Sequence, residues 1–193
     1  MTRPVHPKPH DSDEALARCA AGNRCAACFE EIVRRFQTPL LHFLIRRCGS
    51  RHDAEDLLQE TFLLAYRNLG SFRHNCRLST WLFTIANRSA ISRARKARPP
   101  TLAGEEPAFD NDPPAQAQRR ETREKLWDAA RLILEPDAFS ALWLKYVESM
   151  PADQIGLVIG RNANAVQILL HRARLRLAKR LSPAGQTGAN SWI

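Results

Sequence analysis

Two arrangements in the chain could do chemistry, and they point in different directions. Cys25-Ala-Ala-Cys28 has the spacing of a metal or thiol-redox pair, but no second C-x-x-C or H-x-x-x-H follows it. The nearest histidines, His6 and His10, sit in a proline-rich N-terminal stretch, and Cys28 falls in helical register with Phe29, Ile32 and Phe36 as a small core residue. The pair is therefore expected to be a packing feature, with no metal or cofactor. The second arrangement is Trp81, Thr84, Arg88, Ser92 and Arg95, which recur at helical spacing and run into Arg93, Lys96 and Arg98. An aromatic backed by arginines suits stacking on unpaired bases with phosphates neutralised alongside. Basic residues near a helix C-terminus are also favoured by the helix dipole alone, and Trp81 could equally be a core residue. No convergent His/Asp/Glu cluster and no glycine-rich phosphate loop is visible, so an enzyme is not expected.

The bulk composition agrees with a polyanionic partner. The 193 residues carry a formal net charge of +9, with 44% hydrophobic and 25% charged residues. No apolar run approaches the ~18 residues of a membrane span, and MTRPVHPKPHDSDE has no apolar centre. Five scattered cysteines argue against a disulfide framework. A cytoplasmic protein, monomeric when free and not inserted in a membrane, is expected.

Against that positive charge, the stretch DAEDLLQETFLLAYRNL collects acids on one helix. At about 100° per residue, Ala54, Leu57, Leu58, Thr61, Phe62, Leu64, Ala65 and Leu69 share an apolar arc. Asp53, Asp56, Gln59, Glu60 and Arg67 lie opposite, with Leu63 among them. Asp53 can cap the helix, and acids in a first turn complement its dipole. Glu60 lies beyond that turn and four residues from Asp56, a like-charge spacing that costs roughly 0.2–0.5 kcal/mol. An acidic face with an apolar centre suits a basic protein partner, although an ordinary solvated face stays open.

These residues need elements to position them, and every periodic stretch reads as helix. Helices are expected at 12–22, at 25–48 with a bend at Pro39, from Asp53 to about Gly70, and at 80–97. In the last of these, Leu82, Phe83, Ala86, Ala90, Ala94 and Ala97 would face the core. Residues 99–118 are proline-rich and acidic without periodicity, and read as an extended linker. Helices at 119–134, 137–148, 151–159 and 163–181 follow. The expectation is an all-α chain of two small helical domains, 12–98 and 119–182, with tails at 1–11 and 183–193.

The second domain contains a helix-turn-helix pattern. Gly156 is small where two helices would cross, Gly160 can take the left-handed conformation that ends the first, and Asn162 can cap the second. Val166, Leu170, Ala173, Leu177 and Leu181 would form the buried stripe. Asn164, Gln167, Ile168, His171 and Arg172 would face outward, where Asn and Gln suit adenine and Arg suits guanine or phosphate. A helical hairpin with a solvated basic face is the competing reading.

Together the segments resemble a bacterial RNA polymerase sigma factor of the extracytoplasmic-function type. DAEDLLQETFLLAYRNLGSFRHNCRLSTWLFTIANRSAISRARK is similar to that family's region 2, and FSALWLKYVESMPADQIGLVIGRNANAVQILLHRARLRLAKRL to its region 4. The resemblance implies a non-enzymatic subunit that binds core polymerase and directs promoter recognition, melting and initiation. Asp53, Asp56, Gln59, Glu60 and Leu63 would meet the clamp helices of the largest subunit, and region 4 would lie near the polymerase flap. Phe72, Arg73, Asn75, Arg77, Thr80, Trp81, Thr84, Arg88 and Arg95 would hold the opened minus-ten element. Arg161, Asn162, Asn164, Gln167, Ile168, His171 and Arg172 would read the minus-thirty-five element. An anti-sigma factor is a further implied partner. The chain departs from the family pattern at Ala165-Val166 and Ile168-Leu169, where Thr-Val and a polar-Arg pair are usual, and at Leu78, Asn87-Arg88 and Ser92. The competing function is a stand-alone helix-turn-helix regulator, which would have no use for the acidic face or for Trp81 beside an arginine stripe.

Overall fold

A computed structural model describes residues 12–23, 25–72, 75–96 and 114–181, the side chains of 23 and 114–122 aside. All the regular structure among these residues is helical. Helix α1 (Asp13–Asn23) starts where the Ser12 hydroxyl accepts the Ala15 amide at 3.1 Å, and it buries Leu16, Ala17 and Ala20. Helix α2 (Ala26–Cys48) passes through Pro39 without ending, and buries Cys28, Ile32, Phe36, Leu40, Phe43 and Leu44 along one stripe. It stops at Gly49, whose φ of 75° is left-handed and whose amide reaches the Ile45 carbonyl at 2.8 Å.

Helix α3 (Arg51–Asn68) begins two residues before the expected start. Its cap is Ser50, whose hydroxyl accepts the Asp53 amide at 3.3 Å, so Asp53 is a first-turn acid and not the cap. Ala54, Leu57, Thr61 and Ala65 are buried at helical spacing, and the Thr61 hydroxyl returns to the Leu57 carbonyl at 2.7 Å. A 3-10 turn, Leu69–Ser71, leads towards helix α4 (Leu78–Lys96). Phe83 of α4 meets Phe43 of α2 edge-on at 5.4 Å, the centre of the N-terminal core. The apolar stripe of α4 ends at Ala90. Ala94 is exposed, and Ala97 lies outside the described residues.

Helix α5 (Pro114–Ile133) starts inside the stretch expected to be linker, so at most 99–113 can serve as one; those residues lie outside the described set. Helices α6 (Pro136–Tyr146), α7 (Ala152–Ile159) and α8 (Ala163–Leu181) complete the chain. Proline suits the first position of α6, where its missing amide hydrogen would have had no helical partner. Trp127, Phe139 and Trp143 cluster with ring centroids 4.9 Å apart for the two tryptophans. The α8 stripe buries Val166, Leu170 and Ala173; Leu177 is half-buried and Leu181 exposed, because the last turns of α8 project beyond the bundle.

One cluster of buried residues runs through both halves, so the two helical domains pack against each other. Helix α7 lies on α4, and the C-terminal part of α2 lies against α5 and α6. Helix α6 is therefore buried almost all round, from Ala138 to Leu144. Arg46 of α2 reaches Asp128 of α5 at 2.8 Å and Glu124 at 3.8 Å. The Arg131 guanidinium sits over Gly49, where a Cβ would come within 2.7 Å of it. The left-handed φ favours glycine there, and a Cβ would in addition make the flexible Arg131 side chain shift.

Candidate nucleic-acid and protein interfaces

The α3 face is built by a helix whose other side is fully committed to the core. Asp56, Gln59, Glu60 and Leu63 all point to solvent, and Leu63 is 49% exposed in the middle of the polar row. Asp53 is partly covered. Arg93 of α4 bridges Asp53 and Asp56, with 3.4 Å to the latter. This pair was not legible from either helix alone. It withdraws Arg93 from the basic surface and fixes α4 against the base of the acidic face. At this exposure the pair contributes at most about 1 kcal/mol.

The start of α4 forms the second surface. Trp81 is half-buried and rests on Phe72, with centroids 5.3 Å apart and rings tilted by 41°. Phe72 is itself buried, which corrects its expected role: it supports Trp81 and is not open to a base. Thr84 is half-buried, its hydroxyl on the Thr80 carbonyl at 2.7 Å. Asn75, Arg77, Arg88 and Arg95 are exposed, and Arg73 lies outside the described residues.

Thr80 is 1% exposed, which the sequence pattern did not anticipate. Its hydroxyl donates to the Gln154 side-chain oxygen of α7 at 2.8 Å, and the Arg77 amide reaches the same oxygen at 3.4 Å. Two turns further along α4, Asn87 is buried between the halves. It accepts from the Ser140 hydroxyl at 3.0 Å and donates to the Val158 carbonyl at 3.4 Å. Buried polar groups satisfied in this way specify one docking geometry, because any shift would leave them unpaired. In this arrangement α7 covers part of the surface that α4 would offer to single-stranded DNA.

The third surface is the α7–α8 turn. Gly160 takes φ 71°, and a Cβ on Gly156 would sit 2.4 Å from the Arg161 carbonyl oxygen, so only glycine allows the two helices to approach. The Arg161 amide then closes onto the Gly156 carbonyl at 2.8 Å. The Asn162 side chain accepts the Ala165 amide at 2.8 Å, which makes it the cap of α8 and occupies its oxygen. Arg161 is exposed but paired with Asp137 at 2.8 Å. Asn164, Gln167, Ile168, His171 and Arg172 are all exposed along the first half of α8, with Ile168 53% open. Seven of the outward residues of this turn were thus expected; two of them, Arg161 and Asn162, already have partners within the chain.

Away from these surfaces, the thiols of Cys19, Cys25 and Cys28 converge at the α1–α2 junction, the one group among the described residues with metal-ligating geometry. No helix of the described residues is long and apolar enough to cross a membrane.

Residues 32–99 match the family described as sigma-70 region 2, and residues 132–177 the family described as sigma-70, region 4. The chain is 30% identical over 158 residues to RNA polymerase sigma factor YlaC of Bacillus subtilis (strain 168), spanning 79% of this chain and 91% of that one. It is 29% identical to the ECF RNA polymerase sigma factor SigW of the same organism, over 79% of this chain and 88% of the relative. A solved structure of the same fold is the sigma factor RpoE in complex with the anti-sigma factor NepR from Bartonella quintana. There the TM-score is 0.64 at 23% identity, over 79% of this chain and 96% of that one.

Proposed function

Because the chain belongs to the extracytoplasmic-function sigma factors of bacterial RNA polymerase, non-enzymatic subunits that bind core polymerase and direct it to promoters, we propose how its own residues divide that work. The exposed row of Asp56, Gln59, Glu60 and Leu63, with Asp53 at its edge, is the docking face for the clamp helices of the largest subunit. Acids around one apolar side chain give a basic partner both steering and a desolvated contact at the centre. The promoter work falls to two further surfaces. Trp81 on its Phe72 support takes an unstacked minus-ten base, with exposed Asn75 and Arg77 before it and Arg88 and Arg95 further along α4 for the phosphates. Asn164, Gln167, Ile168, His171 and Arg172 enter the major groove at minus thirty-five, beside the polymerase flap.

Opening the duplex requires no bond chemistry; the protein lowers the melting cost by binding the unstacked strand. The packing of α7 on α4 adds a condition. Thr80 and Asn87 are reached only when α7 leaves, so polymerase and promoter must bind the separated form more tightly than the closed one. The observation that carries the whole reading is the solvent-facing α3 row, on the half of the chain that does not contain the helix-turn-helix. A regulator acting on duplex alone has no need of it.

By its likeness to the Bartonella sigma factor, whose structure is a complex with an anti-sigma factor, an anti-sigma partner is proposed for this chain as well. A cytoplasmic location follows from the proposed work on polymerase, and a monomeric free state is proposed alongside it. The division of labour is tested by mixing the tagged protein with purified core polymerase and, separately, with duplex promoter fragments. The expected result is capture of core and weak binding to duplex alone. Tight binding to duplex without any binding to core would sink the proposal.

A further inference from the structure

Cys25-x-x-Cys28 gains a third member only in three dimensions. Cys19 lies on the last turns of α1, nine residues before Cys28, and the chain reverses between the helices. Its Sγ meets the Cys28 Sγ at 2.8 Å, and all three sulfurs lie within 4.8 Å of one another. Metal–sulfur bonds of about 2.3 Å place the sulfurs of a three-thiolate site about 4 Å apart. The observed spacing therefore needs shifts of about an ångström, well within the reach of cysteine χ1 rotation. Cys28 is buried, whereas Cys19 and Cys25 are partly open, which gives an ion a way in.

Packing alone accounts for Cys28. It does not account for two half-exposed cysteines turned onto the same point. We propose that Cys19, Cys25 and Cys28 form a binding site for a thiophilic d10 metal ion, Cu(I) or Zn(II), that staples α1 to the start of α2. Among the described residues no His, Asp or Glu joins the group, so the donor set is all sulfur. Soft thiolates select these ions over hard cations. Three thiolates complete the coordination of Cu(I), whereas Zn(II) would add a water as fourth ligand. Cys25 stands at the N-cap of α2, where the chain turns from α1 into α2. Binding would also reach beyond the junction, because α1 packs on the 3-10 turn Leu69–Ser71 that leads to the Phe72–Trp81 pair.

The test uses the full-length, reduced, metal-free chain under anaerobic conditions. It is titrated with Cu(I) against bicinchoninate and, in a separate arm, with Zn(II) against a chromophoric chelator. One equivalent per chain is expected in at least one arm, with a rise in melting temperature. For Cu(I), a sulfur-to-metal charge-transfer band should also appear. Cys19→Ser and Cys25→Ser should each weaken binding by more than about 100-fold, beyond what loss of an outer-shell group costs. Cys48→Ser and Cys76→Ser should leave it unchanged. Tighter binding in one arm assigns the ion. Failure of both ions to compete with the chelators would overturn the proposal. So would binding indifferent to Cys19→Ser, or a Cys19–Cys28 disulfide in a chain that holds neither ion when reduced. None of these outcomes depends on polymerase or promoter binding.

Discussion

The Gln154 side-chain oxygen of α7 accepts the Thr80 hydroxyl of α4 at 2.8 Å, tying the helix-turn-helix to the surface proposed to hold the minus-ten strand. With the Asn87–Ser140 and Asn87–Val158 hydrogen bonds, it makes a polar seam inside an apolar contact. Such a seam can be tight yet reversible, since each group finds water once the halves part.

Weakening the seam should favour the separated form. Asn87→Ala leaves the Ser140 hydroxyl and the Val158 carbonyl without partners in the closed state, at a cost of about 1–3 kcal/mol. The variant is expected to show a larger radius of gyration by small-angle scattering and tighter binding to a minus-ten single strand. An unchanged radius together with unchanged binding would mean that the seam does not govern access.

The α7–α8 turn depends on one hydrogen atom. Gly156→Ala places a Cβ 2.4 Å from the Arg161 carbonyl oxygen, which is backbone and cannot rotate away. Overpacking of this kind costs typically 1–3 kcal/mol, so the urea midpoint should fall and duplex binding with it. An unshifted midpoint would show that the helices can part without loss.

Local signals were legible in the sequence to the extent that their causes are local. Gly156 and Gly160 act through lack of a side chain and through backbone freedom respectively, and each could be placed from its spacing. The outward rows of α3 and α8 likewise follow from helical periodicity. Pairings between distant segments were not legible. Arg93 with Asp53 and Asp56, Gln154 with Thr80, Asn87 with Ser140, and Cys19 with Cys28 join residues that carry no mutual mark in a single sequence. The same blindness explains Phe72 and Thr80, which read as exposed loop and helix-start residues until Trp81 and α7 cover them. Ser50 was missed as a cap because Asp53, an equally good capping type, stood nearer the first apolar residues.

Trp81 separates two roles in one experiment. Trp81→Ala should lose stacking of roughly 1–3 kcal/mol on single-stranded minus-ten DNA, with helicity by circular dichroism unchanged. Loss of helicity would make it chiefly a cover for Phe72 and the core.

Arg172 is exposed on α8 with no acid bridged to it among the ion pairs of the described residues. Arg172→Ala should weaken duplex binding and reduce the slope of log affinity against log salt by about one. An unaltered slope would remove it from the phosphate contacts.

The most direct measurement is run-off transcription with purified core polymerase on a pool of upstream fragments, comparing the native chain with Asp56→Lys/Glu60→Lys. Discrete start sites are expected only with the native chain, and the variant should keep its helicity while losing both core binding and transcripts. Transcription by the variant at the native level would contradict the assignment of the α3 face, and no start sites with the native chain bound to core would contradict promoter recognition itself.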